Sequence, residues 1–154
     1  MVNSEGLGDS LEMTVCDQIR NGATILGAQE TERIACDLHA LTTDHTIEAL
    51  VAGAGCVLRL DAPMPPPIDV WLMANGVILL RAQPDSRAMN LATLYAVAQW
   101  LLRDREHSRA DEWKLALTLA IPISLFDSAD AANRTKGIPV PDWAIKARLE
   151  MLSS

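Results

Sequence analysis

The sequence predicts an α+β domain, a small antiparallel or mixed sheet packed on a pair of helices, and three observations carry that expectation. Apolar residues recur at three- and four-residue steps from Leu91 to Leu102, and a second helix-like run begins at Ser108 and stops at Pro122. Ahead of them, the β-rich runs Asp69–Met73 and Val77–Arg81 flank Ala74-Asn75-Gly76, and Asn-Gly between such runs is a strong hairpin signal. Strands therefore precede the paired helices instead of alternating with them.

Residues 1–10 are polar and rich in small residues and read as a frayed end. Leu11, Val15 and Ile19 share one face of a helix that Gly22 weakens, and Gln29 to Leu41 forms another, in which Ile34, Leu38 and Leu41 are apolar at helical spacing. These two helices make residues 1–42 an N-terminal arm packed on a domain spanning 43–154. The arm is expected to cover the sheet, with partner binding or dimerisation as the alternative. Asp44 is a suitable cap for a helix through Ala52 that Gly53 and Gly55 end, and Cys56 to Leu60 reads as a strand. Pro63, Pro65, Pro66 and Pro67 exclude a ladder and give a stiff surface connection, or a polyproline ligand for an aromatic groove. Trp71 reads as core or sheet-face packing.

In the first helix of the pair, Leu91, Leu94, Tyr95, Ala98, Leu101 and Leu102 form one apolar stripe. Asp85 or Ser86 can cap its start, and Arg103, Arg105 and His107 lie near its end, where the helix dipole favours positive charge. Ser108 and Asp111 give a capping-box-like start to the second helix, and Pro122 closes it because a proline inside a helix loses a hydrogen bond and clashes with the preceding turn. A further helix is expected over Ile123–Ala132 and a turn over Asn133–Gly137. A last helix follows Pro139 and Pro141, with Trp143, Ala144, Ala147 and Leu149 near the body.

The run from Leu91 to Arg103 resembles the active-site helix of the ImmA/IrrE family, small gluzincin-like metallopeptidases that cut DNA-binding repressors. The segment Asp111-Glu112-Trp113-Lys114-Leu115-Ala116-Leu117-Thr118-Leu119-Ala120-Ile121-Pro122 is similar to that family's second helix, with its acidic ligand and alanine-rich run ending at a proline. Thr46 to Leu58 resembles the family's early helix and first strand, and Val140 to Leu149 its closing helix. The resemblance covers roughly residues 40–152 in order, and it implies a metallopeptidase-like two-helix unit for the pair.

The motif that defines such peptidases, H-E-x-x-H, places two histidines on one helical face to bind zinc while the glutamate polarises the bound water. Here Tyr95 and Gln99 hold the histidine positions and Ala96 the glutamate position; the third ligand falls on Asp111, or on Glu112 if the register slips by one. A glutamine amide is a poor zinc partner and alanine accepts no proton, so no catalytic residue, metal or cofactor is expected. The resemblance then implies an inactive pseudo-peptidase that binds a protein, a repressor-like DNA-binding protein from a phage or mobile element being the implied partner. Glu112 and Trp100 are the expected pocket residues beside Tyr95, Gln99 and Asp111. The same side chains are equally readable as a hydrogen-bonded core cluster. Two alternatives stand beside this reading: a non-standard metal site made from Asp111, Glu112, Tyr95 and His107, and a metabolite sensor using the vacated pocket. Arg148, where the related proteins also carry an arginine, reads as a structural salt-bridge donor.

Composition bounds these readings. A chain of 154 residues fits one domain. Its net charge of −7 excludes sequence-independent nucleic-acid binding, which needs a basic surface. No stretch is a transmembrane helix and the start lacks a secretory pattern. Cys16, Cys36 and Cys56 form no Cys-x-x-Cys pair and are expected as buried thiols in a reducing cytoplasm. His39, His45 and His107 lack ligand spacing and read as surface or capping residues. No nucleophile elbow or phosphate-cradling glycine loop is present. The adjacent pair Asp111-Glu112 reads as a solvated helix start.

Overall fold

A computed structural model of the chain describes residues 2–3, 9–42, 46–59, 68–80, 87–122 and 138–153. These form an α+β arrangement of six helices and a four-stranded mixed sheet. In chain order they are β1 (Val2–Asn3), α1 (Asp9–Asn21), α2 (Ala28–Ala40), α3 (Ile47–Gly53), β2 (Val57–Arg59), β3 (Ile68–Leu72), β4 (Val77–Leu80), α4 (Arg87–Leu102), α5 (Arg109–Ala120) and α6 (Asp142–Ser153). His45, the proline-rich loop, the candidate caps Asp44, Asp85 and Ser86, and the elements expected over 123–137 lie outside the described residues.

The sheet order is β1–β3–β4–β2, with β3 and β4 antiparallel and β2 parallel to β4. The Asn-Gly signal marks a real hairpin: Gly76 N–H donates to the Met73 carbonyl at 3.0 Å, and Met73 N–H to the Val77 carbonyl at 2.8 Å. Gly76 has φ of 87°, and a Cβ there would come within 2.9 Å of the Trp100 ring, so conformation and space both require glycine. Alternation along the strands turns Val70, Ile78 and Leu80 into the core, whereas Val57 and Trp71 stand on the outer face, Trp71 41% exposed. Trp71 is thus sheet-face rather than core. The chain's first residues are not simply a frayed end, because Val2 and Asn3 pair with Val70 and Ile68.

Helix α4 is buried on nearly every side. Met89 through Ala98 are all buried, with no charged residue from Ala88 to Leu102, as expected of a central helix rather than a surface one. The sheet lies against α4 through β3, and α5 packs on it from the other direction. Among the described residues, β1 of the arm joins the edge of the sheet, while its helices α1 and α2 pack chiefly against α5 rather than on the sheet, and α6 closes over α1 and α5. Polar α1 and α2 carry single apolar stripes, while α5 offers apolar residues all round, so docking on α5 buries the most surface. Leu149 is exposed instead of facing the body, Leu41 is exposed just past the end of α2, and Cys36 is exposed, leaving Cys56 as the buried thiol; all three cysteines are free.

Thr46 caps α3, accepting from Ala49 N–H at 3.2 Å. Arg148 is almost wholly buried. Its Nε donates to the Ile121 carbonyl at 2.9 Å and its guanidinium pairs with Glu32 at 2.7 Å, so one residue of α6 ties α2 to the end of α5. Burial lowers its pKa from the ordinary arginine value, an effect opposed by Glu32. No described helix is long and apolar enough to cross a membrane.

Candidate functional site

The residues singled out in the sequence lie where α4 and α5 meet around the turn at 103–108. Tyr95 is on the second half of α4 and Glu112 on the first turn of α5, and the Tyr95 hydroxyl donates to Glu112 Oε1 at 2.7 Å. The other carboxylate oxygen, Oε2, lies 3.0 Å from His107 Nε2. His107 Nδ1 faces the Arg105 carbonyl at 2.8 Å. Both ring nitrogens therefore point at acceptors, and the ring satisfies both only as an imidazolium. The His107 pKa is raised accordingly, first by the Arg105 carbonyl and then, against some desolvation, by Glu112. Tyr95 stacks on Trp113 with ring centroids 3.8 Å apart and planes at 17°. Burial, followed by the neighbouring Glu112 carboxylate, pushes the Tyr95 phenol well above the ordinary tyrosine range, and Gln99 beside the hydroxyl opposes that shift.

Asp111 is elsewhere. Its carboxylate completes the capping box with Ser108, accepting the Ser108 N–H at 2.9 Å while its own N–H donates to Ser108 Oγ. The same carboxylate accepts from the Ile25 and Leu26 amides at 3.0 and 3.3 Å. Asp111 is buried, so it is an anchor for the loop between α1 and α2 rather than part of a solvated helix start. Glu112, not Asp111, is the carboxylate that meets Tyr95. Ala96 is buried in α4 and brings no polar atom.

Trp100 does not join this cluster. Its Nε1 donates to the Ala54 carbonyl at 3.2 Å, its ring packs on Gly76, and the Arg103 guanidinium lies 3.6 Å above its centroid. It holds the hairpin and the end of α3 onto α4. Of the other histidines, His39 is buried with Nε2 at 2.9 Å from the Leu119 carbonyl, not a surface residue. Sequence reasoning grouped His107 with Glu112 and Tyr95 only as possible metal ligands; that the imidazole instead pairs with the carboxylate was not legible, because the five-residue spacing crosses a helix start and has no periodic signature.

The donor set does not fit a zinc ion. Zinc takes free lone pairs from imidazole, thiolate or carboxylate, but both His107 nitrogens are turned to oxygen acceptors and Glu112 holds a hydrogen bond on each oxygen. Among the described residues no three His, Cys, Asp or Glu side chains are grouped to hold a metal ion. What the arrangement does chemically is close a phenol–carboxylate–imidazolium chain that links α4, the turn and α5. No family model, curated protein or solved structure matches the chain.

Proposed function

We propose that this protein is a non-catalytic, ImmA/IrrE-like pseudo-peptidase of the cytoplasm that acts by binding another protein, a repressor-like DNA-binding protein of a phage or mobile element being the partner class the resemblance favours. One observation carries the non-catalytic half. At the helix pair where a peptidase would present two imidazoles and a glutamate, this chain offers Tyr95, Ala96 and Gln99, and the nearby Glu112 and His107 are spent on each other and on Tyr95. A partly buried chain with its hydrogen-bonding capacity used internally stabilises the fold and leaves no base to activate water.

Protein binding is supported by the outer face of the sheet. Trp71 and Val57 are exposed there, and register sets Trp71 beside Leu79 and Leu79 beside Arg59. An exposed apolar row of this kind is a feature of interaction surfaces. The net charge of −7 suits a basic partner.

The test is to mix the full chain with purified helix-turn-helix repressors and follow complex formation by size-exclusion chromatography and cleavage by gel. A complex with intact repressor, weakened about tenfold or more by Trp71→Glu, is expected. Repressor cleavage that a chelator stops would contradict the proposal.

A further inference from the structure

A cavity of about 700 Å³ opens on the side of α5 away from Glu112. Lys114, two residues on from Glu112, projects roughly 200° around the helix from it, so this cavity is separate from the Tyr95 cluster. Its walls come from α1, the following loop, the start of α2, α5 and α6, and its volume is within the ordinary range for small-molecule sites.

The charges of the lining decide the sign of an occupant. Glu32, Lys114 and Arg148 are its ionisable residues. Glu32 is neutralised by Arg148, which is fully buried and paired with it at 2.7 Å. Lys114 is half-buried and carries no ion pair among the described residues. Among the described residues, the cavity lining therefore carries one uncompensated positive charge, in a chain of net charge −7. Ile19, Leu26 and Met151 supply an apolar wall opposite the polar one. A cation in a partly dehydrated recess favours an anion at short range far more than the distributed negative charge of the chain, screened by salt, disfavours it.

We propose that this cavity binds a small amphiphilic carboxylate, its head group on Lys114 and its apolar body against Ile19, Leu26 and Met151. Because the walls include the loop that Asp111 anchors and the first turn of α2, occupancy ties the arm to α5 and α6 and stabilises the whole chain.

Octanoate, octylammonium and acetate, titrated into the isotope-labelled full chain and followed by amide NMR shifts, test this. Saturable octanoate binding is expected, with shifts centred on residues 24–32, 114 and 148–152, and weaker binding of both acetate and octylammonium. Lys114→Met keeps the stem and removes the charge, and should weaken octanoate about tenfold, the equivalent of one lost charge-assisted contact. Gly27→Phe is the second variant. A Cβ at Gly27, itself in the cavity lining, meets no atom within 4 Å, so there is room for a side chain to start there, and a ring in this position should compete with the ligand. Absence of saturable octanoate binding, equal binding of octylammonium or acetate, or full affinity in both variants would overturn the proposal.

Discussion

His107 makes two contacts that only its charged form can satisfy, and this gives the cluster a pH signature. Its pKa is raised above the ordinary value of 6.5. A group bound more tightly as the cation stabilises the fold fully below its unfolded pKa, and that stability is lost as pH rises through the folded pKa. Glu112→Gln removes the negative partner while leaving a hydrogen-bonding side chain. It should lower the His107 pKa measured by NMR titration, but only in part, because the Arg105 carbonyl is the larger cause. The substitution should cost about 1.5 kcal/mol at pH 6 in denaturant unfolding, and less at pH 9. A difference that grew with pH would show that the pair is not an imidazolium–carboxylate contact. Asp111 illustrates a different lesson at this scale. As a residue type it reads equally as ligand, cap or solvated acid, and only the return of the Ile25 and Leu26 amides from 85 residues away settles it as an anchor.

Among the elements, α4 separates two leucines that periodicity treats alike. Leu94 is fully buried, whereas Leu101, on the last turn, is only partly so. Leu94→Ala leaves a cavity at the junction of sheet and helices and should cost about 3 to 4 kcal/mol; Leu101→Ala, whose gap water can reach, should cost about 1 kcal/mol. Equal losses would mean that α4 presents a single stripe, as its spacing alone suggests, instead of lying enclosed. The helix pair, its capping box and the hairpin were all legible, because each rests on local chemistry: Ser108 with Asp111, Pro122 after the last turn, Asn75-Gly76 between β-rich runs. The enclosure of α4 was not legible, since a stripe of large residues is conspicuous while the burial of Ala92, Thr93 and Ala96 depends on what docks from the other side. The same reason hid the seat of α1 and α2. Their apolar stripes announce that they pack, but the choice of α5 over the sheet is made by long-range complementarity and by Asp111.

For the molecule as a whole, the fold class was legible from the order of its elements, while the mixed character of the sheet was not resolved, because parallel pairing of β2 with β4 depends on a crossover that strand propensity does not encode. The candidate site was legible as a set of positions and illegible as a network: Tyr95 and Glu112 were in view, but their closure through His107 required the turn between the helices. Arg148 was foreseen as a salt-bridge donor, and its place on the buried side of α6 makes it the tie between the arm and the end of the helix pair. The functional account depends on that network. If its hydrogen bonds are what the side chains are for, the protein has no use for zinc.

The most direct measurement is metal content by mass spectrometry of the full chain, purified without chelators or metal-affinity resin. The expected result is zinc far below stoichiometric, with no change in the unfolding midpoint when zinc is added. A stoichiometric zinc that resists dialysis, released only when His107 or Glu112 is replaced, would show that these residues are ligands and would return the protein to the peptidases it resembles.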